Sequence, residues 1–170
     1  LHPNHDERAY ARMLDSDFGL AKASPVSIEW KLLSKEEWKN FSGLFDNSNL
    51  LQAWSYGMAK STTEGWKLSY GLFFADGQLI GMAQCLTRNF FGLVQVSRMN
   101  MGPVFCSKVT LPMLILAYRE LGKLGNWRRL RFLRIAPPAH LGDLTSLAMA
   151  VNGFQCLNTK PRHSSTLDLS

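Results

Sequence analysis

The stretch WKLSYGLFFADGQLIGMAQCLTRNFFGLVQVSRMN, residues 66–100, decides how this chain folds. It holds two apolar runs, Trp66–Ala75 and Gln78–Asn89, separated by Asp76-Gly77. Asp-Gly between such runs is a strong hairpin signal, because both central residues of the tightest turn need positive φ. Phe91-Gly92 marks a second turn. Beyond it Leu93–Asn100 reads as a third strand, with Val94, Val96 and Arg98 alternating against Leu93, Gln95 and Ser97. The expectation is a three-stranded antiparallel meander, which needs helices or a second sheet to cover it.

Toward the N-terminus, Ser27–Leu33 reads as a strand, with Val26, Ile28, Trp30 and Leu32 on one face. Ser34 followed by Glu37 has the spacing of a capping box, so a helix is expected over Lys35–Phe45, with Trp38, Phe41, Leu44 and Phe45 as its apolar stripe. Asp46-Asn47-Ser48-Asn49 is a turn cluster, and a second helix is expected over about Leu51–Thr62. Residues 1–25 read as a polar N-terminal arm closed by Ser24-Pro25.

Toward the C-terminus, Gly102-Pro103 breaks the pattern, and Thr110-Leu111-Pro112 opens a helix where a missing N–H does no harm. That helix is expected to reach Lys123 and to bury Leu114, Tyr118 and Leu121. Then come a strand over Arg129–Ala136, a helix over Asp143–Val151 closed by Asn152-Gly153, and short strands at Phe154–Leu157 and Ser165–Leu169. Residues 26–170 are thus expected to form one α/β domain, a mainly antiparallel central sheet flanked by helices.

Composition agrees with a globular chain. Of 170 residues, 46% are hydrophobic and 19% charged, and the net charge is +6. The positive excess suits phosphorylated substrates, nucleic acid or anionic lipid without choosing among them. Cys85, Cys106 and Cys156 stand apart in apolar contexts, which suggests buried thiols in a reducing compartment and a cytoplasmic location. Neither they nor His2, His5, His140 and His163 have zinc-ligand spacing, so no metal is expected. The longest apolar run, Leu111–Tyr118, is far short of the roughly 20 residues a span requires, and Leu1–Arg8 is too polar for a signal peptide. No segment reads as entering or crossing a membrane. The chain begins with Leu and stops just after a strand-like segment, which suggests a piece of something longer.

The order of expected elements resembles the GNAT acyltransferase fold, with Gly153-Phe154 similar to the Gly-Phe step of that superfamily. Leu51-Gln52-Ala53-Trp54-Ser55-Tyr56-Gly57-Met58-Ala59-Lys60, followed by Gly65-Trp66, resembles the opening motif of the FemABX group. Gly102-Pro103-Val104, Leu133–Pro137 and Ser165–Leu169 resemble later steps of the same group, Met101 standing where Arg often precedes its Gly-Pro. The resemblance spans residues 27–169 and corresponds to a first lobe, FemABX members usually having two.

The resemblance implies an acyl or aminoacyl transferase that forms an amide on a bacterial cell-envelope precursor of peptidoglycan type, nucleotide-linked or lipid-linked. Its donor would be aminoacyl-tRNA, and its partners tRNA and a second GNAT-like lobe. Lys60 falls where the group places a lysine on the precursor's diphosphate; a solvated helix-end lysine is the other reading. Arg134 belongs to a basic strand with Arg128, Arg129 and Arg131, and alternation points at least one of them at a covered face. Arg134 is then an ion-pair member or an anion ligand. Trp54 could line an acyl or peptide groove, and so could Trp66, Phe73 and Phe74, although their spacing reads first as core. Tyr56 and Tyr70 are candidate hydrogen-bond donors near the acceptor amine, and Gly102 is expected to border the cleft with Arg134. No catalytic residue is assigned, because an activated tRNA ester needs alignment and oxyanion stabilisation rather than a nucleophile.

No cofactor is expected. Ordinary GNAT enzymes hold coenzyme A on a glycine-rich loop before the central helix, whereas residues 100–107 here have one glycine, and Pro103 lacks a donor. An acetyl-CoA-dependent GNAT enzyme with a degenerate loop, and a non-catalytic lobe that docks tRNA or a partner domain, are the alternatives.

Overall fold

The computed structural model describes residues 18–45, 49–138 and 142–156. Strand β1 spans Val26–Lys31, helix α1 Lys35–Ser42 and helix α2 Trp54–Glu64. Strands β2 (Lys67–Ala75), β3 (Gln78–Phe90) and β4 (Val94–Asn100) follow, then the short β5 (Val104–Phe105). Helix α3 covers Leu111–Gly122, strand β6 Arg131–Ala136 and helix α4 Gly142–Val151. The sheet order is β1-β2-β3-β4-β6, with β5 pairing β3. All pairings are antiparallel except β4 with β6. The expected meander and the mixed α/β class are both present.

Both expected hairpin turns form. Asp76 and Phe91 have φ of 49° and 54°, each followed by a glycine at positive φ. Ser34 and Glu37 make the reciprocal capping box, the Ser34 Oγ accepting from the Glu37 N–H (3.2 Å) and the Glu37 carboxylate accepting from the Ser34 N–H (2.8 Å).

The sheet carries a core on each face. On one side α3 and α4 cover Phe73, Ala83, Cys85, Met99 and Phe105 with Ile115, Tyr118, Leu121 and Ala148. Phe73, Phe105, Tyr118 and Phe154 form an edge-to-face ladder there, with ring centroids 5.1, 6.3 and 6.0 Å apart. On the other side α1 and α2 cover Leu68, Tyr70, Leu72, Met82, Leu86 and Val104 with Trp38. The Trp38 ring lies 4.4 Å from that of Tyr70. Burial on both faces explains why β2 and β3 read as near-continuous apolar runs.

Several expectations change. β1 ends at Lys31, so Leu32 is exposed and Leu33 turns inward instead. α1 stops at Ser42, which leaves Leu44 exposed outside the helix. Trp127–Arg129 is a 3₁₀ turn, so Arg128 and Arg129 precede β6 rather than belong to it. Phe154–Cys156 forms no strand; the Phe154 N–H donates to the Met149 carbonyl (3.1 Å) and its ring packs on the core. Cys156 is exposed, while Cys85 is buried and its thiol pushed up by burial. The Asp46–Ser48 part of the turn cluster, His2, His5, His140, His163 and the Ser165–Leu169 strand lie outside the described residues.

One polar contact joins these layers. β3 is hydrogen-bonded to β4 over Leu86–Phe90 and to β5 at Gly81–Met82, so its partner strand is interrupted opposite Gln84. The buried amide of Gln52, in the 3₁₀ turn Leu50–Gln52, fills the gap. Its Oε1 accepts from the Gln84 N–H (2.7 Å), and its Nε2 donates to the Asn100 carbonyl (2.6 Å). Gly102 passes against that amide; a Cβ there would meet Gln52 Cδ and Nε2 at 2.7 Å. Replacing Gln52 by Leu leaves the buried Gln84 N–H and the part-buried Asn100 carbonyl without these partners and costs about 2 kcal/mol. Urea denaturation reads this directly, against a loss of about 1 kcal/mol for the Ser34→Ala cap variant.

Candidate functional site

The segment Asn49–Glu64 positions the polar chemistry on the α1/α2 side of the sheet. The Asn49 Oδ1 accepts from the Gln52 N–H (3.1 Å), while its Nδ2 donates to the Met101 carbonyl (2.9 Å). Gln84 Nε2 donates to the Leu51 carbonyl (3.0 Å), and Trp54 Nε1 to the Leu33 carbonyl (3.1 Å). The start of α2 is thereby tied to the end of β4, the middle of β3 and the end of β1. Gly57 lets the helix lie directly on the Gln84 side chain, where a Cβ would collide. None of these amides drew attention as a site feature. The available signal is a glutamine inside the otherwise apolar run Ile80–Leu86.

α2 has a cleft on one side and, on the other, the groove it makes with the uncovered half of the sheet. On one side is a cleft of about 450 Å³, lined by Trp38, Phe45, Leu50, Trp54, Met82 and Val104, with Lys35, Lys39, Asn49 and Ser55 also at its wall. On the other side Tyr56, Lys60 and Glu64 form an i, i+4 stripe facing the open half of the sheet. Asn100 Nδ2 donates to the Tyr56 hydroxyl (3.3 Å), which keeps that hydroxyl's own proton available. Lys60 pairs with Glu64 and lies 5.7 Å from the Tyr56 ring centroid. Lys60 holds the Glu64 carboxyl below its usual range, helped by the Trp66 N–H and the charge of Arg98.

Arg98 stacks its guanidinium 4.0 Å from the Trp66 ring centroid. It stands in register with Arg134 across the parallel β4–β6 pair, one strand spacing of about 4.8 Å away. Lys60 and Arg98 both act on Glu64, and Arg134 stands beside Arg98, so this face holds more positive than negative charge.

The residues singled out from the sequence divide accordingly. Tyr56 and Lys60 lie together on α2, Arg134 stands next to Arg98 on the open half of the sheet, and Trp54 lines the cleft on the opposite side of α2. Gly102 is buried behind Gln52 and borders neither concavity. Arg134 is exposed, because α1 and α2 cover only the β2–β3 half of the sheet. The covered-face argument therefore fails for Arg134, and Arg98, which sequence reasoning passed over, is the half-buried arginine. Trp66 and Phe73 belong to the core. Tyr70 is wholly buried beneath Trp38, and burial pushes its phenol far up. It is too deep to meet an acceptor amine.

The connection from β4 to α3 does not suit the pyrophosphate of coenzyme A. The Gly102 N–H donates to the Ala136 carbonyl (3.1 Å), Cys106 N–H to Ile80 (2.9 Å) and Val109 N–H to Cys106 (3.2 Å). Pro103 and Pro112 have no donor, although the first N–H groups of α3 are left uncapped by Thr110. β4 and β6 stay paired from Gln95↔Arg131 to Asn100↔Ala136, which leaves no slot between their carboxyl ends.

No protein-family model and no curated protein matches this sequence. Solved structures match its fold. A "probable acetyltransferase" superposes with a TM-score of 0.50 at 15% identity, over 84% of this chain and 98% of its own. A transcriptional regulator from Bacillus halodurans C-125 gives 0.51 at 10% identity, over 82% and 100%. An aminoglycoside N-acetyltransferase in complex with CoA gives 0.46 at 15%, over 85% and 97%. The fold is GNAT-like. Among the described residues no helix is long and apolar enough to cross a membrane.

The Tyr70 hydroxyl is buried with no hydrogen-bond partner. Tyr70→Phe should therefore be neutral or stabilising by up to about 1 kcal/mol in urea denaturation, and should leave ligand binding at the groove unchanged.

Proposed function

We propose that this chain is an acyltransferase domain that forms an amide on an amine of a phosphate-bearing cell-envelope precursor, using aminoacyl-tRNA as donor. The observation that carries the reading is the set of basic side chains Lys60, Arg98 and Arg134 on the α2 side of the sheet, beside a β4–β6 pair that stays closed to its end. Anion binding on this face falls to side chains rather than to a helix N-terminus.

In this reading Lys60 and Arg134 hold the precursor's diphosphate. The Lys60–Glu64 pair does not oppose this, because an exposed i, i+4 pair is worth only about 0.5 kcal/mol and yields to a charge-assisted phosphate contact. The acceptor amine attacks the ester carbonyl, the C–N bond forms, and the C–O bond to the ribose breaks. The amine's proton leaves toward the departing ribose oxygen. Tyr56, whose hydroxyl already accepts from Asn100, donates toward the carbonyl oxygen as negative charge builds there. Trp54 and the cleft on the other side of α2 receive an apolar part of a substrate. A second reading, an acetyl-CoA-dependent N-acetyltransferase, draws on the "probable acetyltransferase" among the structural neighbours.

Calorimetric titration separates the two. Saturable binding of a UDP-linked muropeptide precursor, weakened about tenfold by Lys60→Ala, with no heat from coenzyme A, is the expected result. Coenzyme A heat without precursor binding replaces the first reading by the second, and silence from both ligands removes both.

A further inference from the structure

The end of the sheet where β4 begins carries apolar side chains that neither packing nor turn chemistry explains. Phe91, at the tip of the β3–β4 turn, is 97% exposed, and Leu93 beside it 73%. Phe91 also holds a φ of 54°, a conformation better served by Asn or Gly. Trp127 and Leu130, in the turn before β6, are 74% and 44% exposed. The two turns are neighbours, since the Gln95 N–H donates to the Leu130 carbonyl (2.9 Å) and Gln95 pairs with Arg131. Arg128, Arg129 and Arg131 are exposed around them, the Arg128 guanidinium lying 5.7 Å from the Trp127 ring centroid. From Gly77 to Gly142 the sequence holds nine Lys or Arg and one acid, Glu120, which is bonded to Lys123.

We infer that these two turns form a peripheral docking site for an anionic phospholipid bilayer. Phe91, Leu93, Trp127 and Leu130 enter the headgroup boundary, and Arg128, Arg129 and Arg131 meet lipid phosphates. Aromatic and aliphatic tips ringed by arginine suit that boundary, where an indole or phenyl ring sits at headgroup depth and each cation is drawn to the surface. Single-stranded RNA suits them less. Leu93 and Leu130 offer no face for base stacking, and the side chains project from turn tips rather than line a groove. Such docking needs no spanning helix, and it stands whether or not the transferase reading holds.

Co-sedimentation of the full chain with vesicles of phosphatidylglycerol and phosphatidylcholine in equal parts tests this, with pure phosphatidylcholine vesicles as the comparison. Binding should require the anionic lipid, weaken with added salt, and fall about tenfold or more in both Phe91→Ser/Trp127→Ser and Arg128→Gln/Arg129→Gln. These positions are exposed, and unchanged circular dichroism confirms that the variants fold. No vesicle binding, binding indifferent to both variants, or preferential binding of an oligouridylate that the same variants abolish would each overturn the inference.

Discussion

The amide of Gln52 takes the place of a missing peptide group in the middle of the sheet. β4 ends at Asn100 and β5 resumes at Val104, and between them the edge of β3 away from β2 has no strand to pair with. A side chain from a 3₁₀ turn completes the ladder, accepting from β3 and donating to β4. Such a graft succeeds only if the backbone beside it is bare, which is why a glycine stands at 102, and only if the helix that follows can lie against Gln84, which is why another stands at 57. Most other features of this face follow from that contact. It sets where α2 starts, which side of α2 meets the cleft and which meets the groove, and where the β4–α3 connection must run.

The same constraint shapes the chemistry. Because Gly102 is committed to Gln52 and to the Ala136 carbonyl, and the following strand turns back to pair with β3, the first half of the segment before α3 has no N–H groups left for an anion. Positive charge appears instead on side chains, Lys60 from α2, Arg98 from β4 and Arg134 from β6. The half of the sheet they occupy is left open because α1 and α2 are drawn over β2 and β3 by Trp38, Tyr70, Leu68 and Leu86. Apolar packing on one half thus creates the polar groove on the other.

Much of the fold is legible in the residues. Turns with Asp-Gly and Phe-Gly, a capping box and a proline near the start of a helix act through neighbours a few positions away, so local chemistry specifies them. What could not be read locally is equally particular. The two-residue β5 has no pattern of its own and exists because Gly81 and Met82 accept it. Arg128 and Arg129 look like strand residues until the chain turns at Leu130, which adopts a φ of 51°. The five residues first assigned to a site share a motif or a charge, but sequence spacing does not say which side of a helix faces a ligand. Trp54 and Tyr56, two residues apart, end on opposite flanks of α2 because a helix turns about 100° per residue.

By itself, then, the sequence determined the order of elements from β1 to α4 apart from the short β5, the antiparallel meander, the capping box of α1 and an excess of positive charge. These depend on backbone preferences and on apolar periodicity, both written within short windows. Tertiary structure alone decided that Gln52 is structural, that Gly102 is buried, that Arg134 is exposed beside Arg98, and that β4 and β6 stay paired to their ends. Each of those depends on which residues distant in the chain come within hydrogen-bond reach or leave a face uncovered, and no local pattern encodes that distance.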